Sequence, residues 1–268
     1  MQDDTPTVVL ICHEQDRLDT EGLASWLAST MRLAGLIIIR DPRNRIWRAA
    51  RREIRRVGWL RFVDVIAFRV FARFRLARRD AAWKESELER LRQRFPARLE
   101  SVPRIVVSSP NSDESRTFIE RLRPDIAIAR CKVILKRAIF EIPRVGTFVL
   151  HPGICPEYRN AHGCFWALAR RDMDRVGATL LRIDSCVDTG PVYDYYKADI
   201  DEQDESHIVI QHRVVFDNLD RLAEDLQQIE AGTAETIDTS GRESAAWGQP
   251  RLTDSLRWKR AARKAAAA

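Results

Sequence analysis

The chain has 268 residues, of which 45% are hydrophobic and 31% are charged, so it can bury a substantial core. Its first four residues, Met-Gln-Asp-Asp, do not form the basic start of a secretory signal. The longest apolar stretch, from Gly58 to Phe68, is shorter than a membrane span and contains two charged residues. Five scattered cysteines without a C-x-x-C pair are typical of reduced thiols. We therefore expect a soluble, cytoplasmic protein.

The net charge of +6 is unevenly distributed along the chain. Between Arg43 and Arg79 the sequence contains thirteen arginines and only two acidic residues, Glu53 and Asp64. This segment carries a net charge of +11, which leaves −5 for the rest of the chain. Because the basic character belongs to one stretch, nucleic acid is not the partner that we expect.

The N-terminal part has a βαβ pattern. Residues 7–12 form a continuous apolar run, which is typical of a strand covered on both faces. A second apolar run follows at 36–39. Between the two runs, apolar residues recur at helical spacing, at Leu23, Trp26, Leu27 and Met31.

The same rhythm returns after the arginine-rich segment, with further apolar runs at 104–108, 125–129 and 146–151. Asn111, with Glu114 three residues later, predicts the start of a helix that Pro124 ends. We therefore predict an α/β fold with a doubly wound, mostly parallel, Rossmann-like sheet and an inserted arginine-rich helical segment.

The C-terminal part should contain one amphipathic helix, ended by Gly232, and then a short strand near Ala246 and a loose tail. The helix is predicted from apolar residues at alternating steps of four and three, namely Val215, Leu219, Leu222, Leu226 and Ile229. We expect an α/β domain formed by 1–42 and 96–232, a basic helical insertion at 43–95, and a C-terminal extension at 233–268.

One motif carries candidate chemistry. His151 ends a predicted parallel strand, where α/β sheets place their sites, and the Pro-Gly after it turns the chain away at once. Downstream, Asp184 and Asp188 lie in a loop that Thr-Gly-Pro at 189–191 breaks. An imidazole and a carboxylate presented from neighbouring strand ends can hold and transfer a proton.

The residues around this motif resemble the folate-dependent formyltransferases that act on glycinamide ribonucleotide, methionyl-tRNA or sugars. The matching elements are the strand ending in His151, the Cys-Pro-Glu-Tyr-Arg-Asn turn at 155–160, Gly-x-Thr at 177–179 and Asp-x-Gly-Pro at 188–191. Arg-Pro-Asp at 123–125 and the run 132–135 also look like the family's folate-side strand and loop. The resemblance covers roughly residues 104–230 and the first strand.

The resemblance implies transfer of a formyl group from N10-formyltetrahydrofolate to a primary amine. It implies that His151 stabilises the tetrahedral intermediate and that Asp188 orients it or acts through a water. Two loops would hold the cofactor, since a pterin fits an apolar slot edged with backbone groups. Their residues are Lys132, Val133, Ile134 and Leu135 in the first loop and Asp184, Cys186 and Val187 in the second.

The sequence departs from the family pattern at Val149. The family carries an asparagine two residues before the histidine, where its amide supports the developing oxyanion. Val149 lies on the same strand face as His151 and therefore occupies the position of the family's asparagine. Its side chain, however, cannot donate a hydrogen bond. Loss of one such donor typically lowers the reaction rate by about 10²–10³-fold. Asn160 and His162 are the nearest candidates to compensate.

Each candidate also has a structural interpretation. Asp188 could shape a turn and Asp184 could cap its loop, whereas Asn160 and His162 could begin the following helix. We predict no metal site, because the spacing of the nearby cysteines and histidines matches no familiar ligand pattern. The residues considered for metal were Cys155, Cys164, His151 and His162.

The arginine segment leaves several roles open. Aromatic and aliphatic residues, including Trp47, Trp59 and Phe74, interleave with its arginines as in amphipathic helices. The segment could recruit an anionic acceptor, form a homodimer surface or lie on a membrane through 43–79. The positive charge of the segment would also suit nucleic acid, although we do not expect nucleic acid as the partner.

We expect an N-formyltransferase that acts on a small, anionic amine acceptor, such as a sugar nucleotide or a biosynthetic intermediate. One alternative is a formyltetrahydrofolate hydrolase, in which water replaces the amine. The other is a catalytically impaired folate-binding or scaffold protein, which Val149 supports.

Overall fold

Runs of valine, isoleucine and leucine form the central sheet of the computed structural model, which describes residues 5–41 and 45–267. The strands are β1 (Thr7–His13), β2 (Arg32–Ile39), β3 (Arg104–Val107), β4 (Ile126–Arg130), β5 (Gly146–His151), β6 (Arg159–Asn160), β7 (Ala178–Arg182), β8 (Val192–Tyr196) and β9 (Ala246–Trp247). Strands β6 and β9 form a separate parallel pair, and the other strands form one sheet.

The large sheet has the strand order β3-β2-β1-β4-β5-β7-β8. Its pairings from β3 to β5 are parallel, whereas β7 and β8 run antiparallel to their neighbours. The prediction of a doubly wound, mostly parallel sheet is confirmed. The order of strands reverses between β1 and β4, and the carboxyl ends of β4 and β5 lie side by side there, which is where sheets of this type place their sites.

Helices cover both faces of the sheet. They are α1 (Ala24–Thr30), α2 (Arg45–Val57), α3 (Trp59–Arg75), α4 (Ala77–Arg94), α5 (Asp113–Leu122), α6 (Arg137–Phe140), α7 (Gly163–Ala169), α8 (His207–Phe216), α9 (Leu219–Ala231) and α10 (Leu252–Ala266). A π-helical turn at Leu18–Leu23 leads into α1. Alternate strand residues feed two apolar layers, so Phe148 packs among α7 and α8 while Ile11 packs towards α5 and α6.

The arginine-rich segment forms α2, α3 and α4 between β2 and β3. Helix α3 buries Phe68 in the main core, and α4 buries Leu88 and Leu91 there. Within this segment, Arg43 and the side chain of Trp47 lie outside the described residues. The insertion is therefore packed onto the α/β core through α3 and α4.

The predicted C-terminal part was wrong in two respects. The expected single helix from Val215 to Ile229 is two helices, because Asp217 and Asn218 interrupt it between α8 and α9. The expected loose tail is instead α10, which buries Trp258 to 1% exposure. The short strand near Ala246 is confirmed as β9, and Gly232 ends α9 in a left-handed conformation as predicted.

The start of α5 also differs by one residue from the prediction. Ser112 caps this helix, and its side chain accepts a hydrogen bond of 3.2 Å from the backbone nitrogen of Ser115. Asn111 is free of the capping role, and its side chain contacts the loop after β4 instead.

Candidate active site

His151 lies at the carboxyl end of β5 and is 4% exposed. Its Nε2 donates a hydrogen bond of 2.8 Å to the carbonyl oxygen of Tyr158, which fixes the orientation of the ring. Its Nδ1 lies 3.5 Å from Oδ2 of Asp188. This separation is long for a hydrogen bond, so the two groups face each other without a short bond between them.

Asp188 is held in its place by a backbone contact. Its Oδ2 accepts a hydrogen bond of 2.7 Å from the backbone nitrogen of Asn160. Asp188, Asn160 and His162 all adopt left-handed backbone conformations, with φ of 52°, 76° and 56°. Such angles are strained in residues other than glycine, and strained backbone clusters at functional sites.

The turn after His151 is tied to β7. The hydroxyl of Thr179 donates a hydrogen bond of 2.6 Å to the carbonyl of Gly153 and accepts one of 3.0 Å from the backbone nitrogen of Cys155. A Cβ at Gly153 would lie 2.6 Å from the carbonyl oxygen of Tyr158 and 2.9 Å from Nε2 of His151. Only glycine fits there, since any side chain would push the histidine ring away from its acceptor.

A buried ion pair behind the site was not predicted from the sequence. Nε of Arg130, at the end of β4, lies 3.0 Å from Oδ1 of Asp19, and both side chains are almost fully buried. Nη1 of Arg130 donates a hydrogen bond of 2.7 Å to the carbonyl of Leu150. Burial raises the pKa of Asp19 to about 6, against the opposing effect of Arg130. Arg130 therefore fixes the backbone next to His151.

The predicted folate-side loop at Lys132–Leu135 follows β4. Asn111 clamps this loop, because its Nδ2 donates to the carbonyl of Ile134 at 2.9 Å and its Oδ1 accepts from the backbone nitrogen of Lys136 at 2.7 Å. Leu135 is buried, Val133 is half-buried, and Ile134 is 66% exposed. The loop thus presents an uncovered apolar side chain on a fixed backbone.

The second predicted loop, Asp184–Asp188, is also fixed. Oδ1 of Asp184 accepts hydrogen bonds of 2.9 Å from the backbone nitrogen of Cys186 and from the hydroxyl of Thr189. Arg159 donates a hydrogen bond of 2.9 Å to the carbonyl of Val187. Cys186 is exposed. The role of Arg159 in holding this loop was missed, because nothing in its sequence context distinguishes it from a surface arginine.

Val149 lies between the two loops. It is half-buried and packs in one apolar cluster with Leu135, which belongs to the first loop, and with Ile183, which directly precedes the second loop. The surface near His151 is therefore apolar at this point and offers no side-chain donor from position 149. The cluster thus joins Leu135 of the first loop to the residue that directly precedes the second.

His162 is placed differently from His151. It is half-buried, and its ring centroid lies 5.4 Å from that of the buried His207. Burial, reinforced by the positive charges of Lys132 and Arg69, lowers the pKa of His162 to about 3. The imidazole is therefore neutral at ordinary pH, and its Nδ1 has no hydrogen-bond partner among the described residues.

The side chain of Asn160 is engaged with the C-terminal extension. Its Nδ2 donates a hydrogen bond to the carbonyl of Trp247, so this donor is directed away from the reacting centre. The indole of Trp247 stacks between Tyr158, at 5.8 Å, and Trp166, at 4.9 Å.

A cavity of about 230 Å³ lies beside this aromatic stack. It is lined by side chains from the insertion, α7 and the C-terminal extension, including Arg56, Arg61, Trp166, Trp247, Gln249 and Arg251. Arg251 also lies over the ring of Trp166, with Cζ 5.3 Å from its centroid. The cavity is thus aromatic on one side and basic on the other.

Residues 84–224, more than half of the chain, match the sequence profile described as formyl transferase. The chain belongs to the formyl transferase family. The match begins within α4, so only the part of this helix from residue 84 onward lies inside the family region, whereas β1, β2, α2 and α3 precede it.

Relatives of this formyl transferase agree with the assignment. A methionyl-tRNA formyltransferase from Thermotoga maritima is 28% identical over 135 residues, which cover 50% of this chain and 42% of that protein. The chain spans between 25% and 42% of the lengths of the first methionyl-tRNA formyltransferases that it matches.

Solved structures show the same fold. A phosphoribosylglycinamide formyltransferase from Anaplasma phagocytophilum superposes with a TM-score of 0.54 at 13% identity, over 92% of this chain and all of that one. A sugar N-formyltransferase from Shewanella gives a TM-score of 0.53 at 12% identity, over 94% of this chain and 87% of that one.

Two kinds of feature are absent from the described residues. They contain no group of three or more histidine, cysteine or acidic side chains placed to hold a metal ion. No helix in the described ranges is long and apolar enough to cross a membrane.

Proposed function

We propose that this protein transfers a formyl group from N10-formyltetrahydrofolate to the primary amine of a small, anionic acceptor. The observation that carries the proposal is the pairing of His151 with Asp188, 3.5 Å apart at the end of β5, in a member of the formyl transferase family. Formyl transfer requires a group that stabilises negative charge on the formyl oxygen and a group that accepts a proton from the amine.

His151 and Asp188 supply these two groups. The carbonyl of Tyr158 holds one ring nitrogen, so the other nitrogen faces the reacting atoms and Asp188. Nε2 thus faces the carbonyl oxygen of Tyr158 and Nδ1 faces the carboxylate of Asp188. A proton on Nδ1 stabilises negative charge on the formyl oxygen, and the carboxylate of Asp188 accepts the proton of the amine as the amine nitrogen bonds to the formyl carbon. That proton passes to N10 as the bond between N10 and the formyl carbon breaks.

The two clamped loops fit the cofactor. When bound, the folate supplies the formyl group on its N10 nitrogen. The exposed Ile134 and the half-buried Val187 offer an apolar edge for a flat ring, on backbone that Asn111 and Arg159 hold in place. The backbone groups of Val133, Leu135, Asp184 and Cys186, with Lys132 at the rim, complete the proposed slot.

The basic cavity supports an anionic acceptor. Arg56, Arg61 and Arg251 line it, and Trp247 connects it to the turn that carries Asn160 and thereby to Asp188. Guanidinium groups beside aromatic rings suit a phosphorylated sugar or a nucleotide, because the rings stack and the arginines pair with phosphate. In this arrangement the amine lies at His151 and the anionic part in the cavity.

Val149 favours a second candidate, a folate-binding protein without efficient transfer. The side-chain amide of Asn160, one of the groups that could compensate, donates to Trp247, and the ring of His162 packs against that of His207. Hydrolysis of the cofactor by water uses the same His151 and Asp188 and differs only in the acceptor.

The deciding experiment combines binding and turnover. The whole chain is titrated with 5-formyltetrahydrofolate by calorimetry, beside His151→Ala and Asp188→Asn, and is then incubated with N10-formyltetrahydrofolate with and without amines. Formylated amine as the product supports the proposal, formate without amine identifies a hydrolase, and saturable binding without either product identifies a binding protein. Absence of binding would overturn all folate-based functions.

A further inference from the structure

Helix α3 has an inner apolar face that joins the insertion to the core. Phe62, Val65 and Phe68 are buried, and the ring centroid of Phe68 lies 5.7 Å from that of Phe165 and 5.5 Å from that of His207. These contacts account for one side of the helix. The opposite side of the helix is largely exposed.

The outer face of α3 is also apolar, and it is exposed. Its large side chains and their exposed fractions are Trp59 64%, Leu60 87%, Val63 53%, Ile66 39%, Val70 51% and Phe74 79%. At the α-helical turn of about 100° per residue, these six side chains fall within an arc of about 120°. No charged residue of α3 falls inside that arc, so the outer face is one continuous apolar stripe.

Exposed arginines precede, border and follow this stripe along the chain. Arg51, Arg52 and Arg55 are exposed on α2, immediately before α3. Arg73 borders the stripe on α3, and Arg78 and Arg79 are exposed just after it. The segment from Arg43 to Arg79 carries a net charge of +11.

The charge decides between two occupants of the stripe. A second copy of the chain would bring a like charge of +11 against the first, and such repulsion opposes association. An anionic bilayer surface matches both features, because its headgroups attract the arginines and its hydrocarbon edge accepts the apolar side chains.

We propose that the outer face of α3 docks on the surface of an anionic lipid bilayer. The helix lies in the plane of the interface, with Trp59, Leu60 and Phe74 inserted and the arginines of α2 at the headgroups. Stable interfacial binding generally takes two signals, and an apolar stripe together with a polybasic segment provides them. The proposal stands whether or not the protein transfers formyl groups.

The test is co-sedimentation of the whole chain with vesicles. Vesicles of phosphatidylcholine alone are compared with vesicles of phosphatidylcholine and phosphatidylglycerol. We expect binding to the anionic vesicles, weakened by added salt, and at least a roughly ten-fold loss of partitioning in the double variant Leu60→Glu/Phe74→Glu. Both side chains are exposed, so the fold should be retained, which circular dichroism verifies.

Two further variants make the test specific. Arg51→Gln/Arg55→Gln should weaken binding to the anionic vesicles while leaving the apolar stripe intact. Val106→Glu is the matched control, because Val106 is an apolar side chain, 43% exposed, on the edge strand β3, away from α3. It should bind anionic vesicles as the wild type does.

Several outcomes would overturn the proposal. They are no binding to anionic vesicles, binding that Leu60→Glu/Phe74→Glu leaves unchanged, and equal binding to neutral vesicles. Analytical ultracentrifugation can give one further outcome that would overturn the proposal. A dimer that the same double variant dissociates, without vesicle binding by the wild type, would assign the stripe to a second copy of the chain.

Discussion

The backbone nitrogen of Asn160 donates a hydrogen bond of 2.7 Å to the carboxylate of Asp188, across 28 residues of sequence. A backbone donor holds the carboxylate whatever side chain occupies position 160. The same contact also remains when the carboxylate becomes a carboxamide, because the carboxamide oxygen still accepts. The chemistry of Asp188 can therefore be changed without losing its position.

Asp188→Asn should lower kcat for formyl transfer by about 10²–10⁴-fold, since the amide cannot accept the proton of the amine. Its melting temperature should stay close to that of the wild type. Steady-state kinetics and thermal melting measure the two quantities. Asp172→Asn is the control, because Asp172 accepts a hydrogen bond from the Tyr158 hydroxyl and is not part of the reacting pair. An active Asp188→Asn protein would remove Asp188 from the mechanism.

Val149→Asn should raise kcat, by up to about 10²–10³-fold, if a missing donor limits the reaction. The amide would lie on the strand face of His151 and could donate to the formyl oxygen. Single-turnover rates measure the effect at the chemical step. Val149→Ala opens the same space without a donor and should give no gain. Equal rates in both variants and the wild type would show that another group already stabilises the oxyanion.

Arg61→Gln should raise the KM for a phosphate-bearing acceptor, with little change in kcat. Arg61 lines the basic cavity proposed for the anionic part of the acceptor, so its loss removes binding that is equal in the ground and transition states. The control is Arg170→Gln, because Arg170 lies over the other aromatic surface at Trp247 and does not line the cavity. A change confined to kcat would place the acceptor elsewhere.

Arg130→Met should destabilise the protein by about 3–5 kcal/mol, since it leaves the buried carboxyl of Asp19 without its partner. Urea denaturation measures the free energy of unfolding. Arg144→Met is the matched control, because Arg144 pairs with Asp125 at 2.6 Å but is 60% exposed. Its loss should cost at most about 1 kcal/mol. Similar values for both variants would contradict the structural role of Arg130.

His162 should make the protein sensitive to acid. Its pKa is about 3 in the folded state, below the 6.5 of an ordinary histidine, so protonation favours unfolding. Its stabilising contribution is complete above about pH 6.5 and is lost as the pH falls towards 3. Between pH 6 and pH 4, His162→Leu should reduce the slope of unfolding free energy against pH by about 1.4 kcal/mol per pH unit.

Urea denaturation at several pH values gives that slope. Tyr158→Phe is the comparison, since the phenol does not titrate in this range and its loss should change stability without changing the slope. If the slope were unchanged in His162→Leu, His162 would be protonated in the folded protein as well as in the unfolded chain between pH 6 and pH 4.

The sequence predicts the sheet well because buried parallel strands such as β1 are continuous apolar runs. It predicts α10 poorly, because the burial of Trp258 depends on contacts with the distant Glu202 region rather than on a local apolar pattern. The break between α8 and α9 is equally difficult to predict from the sequence. Asp217 and Asn218 interrupt the helix while the apolar spacing continues from Val215 to Leu219.

The residues of the candidate site also fall into those that the sequence predicts and those that it does not. His151 and Asp188 are recognisable because strand ends and turn residues mark them locally. Arg130 and Asp19 are separated by 111 residues, and only the fold brings them together. The commitment of Asn160 to Trp247, 87 residues away, could not be predicted for the same reason.

The pairing of β6 with β9 also has a consequence for biosynthesis. Arg159 and Asn160 acquire their strand partners, Ala246 and Trp247, only when those residues have left the ribosome. The central sheet can assemble earlier, since its last strand ends at Tyr196. A nascent chain that has completed its central sheet therefore still lacks the strand partner of residues 159–160, the segment whose backbone holds Asp188.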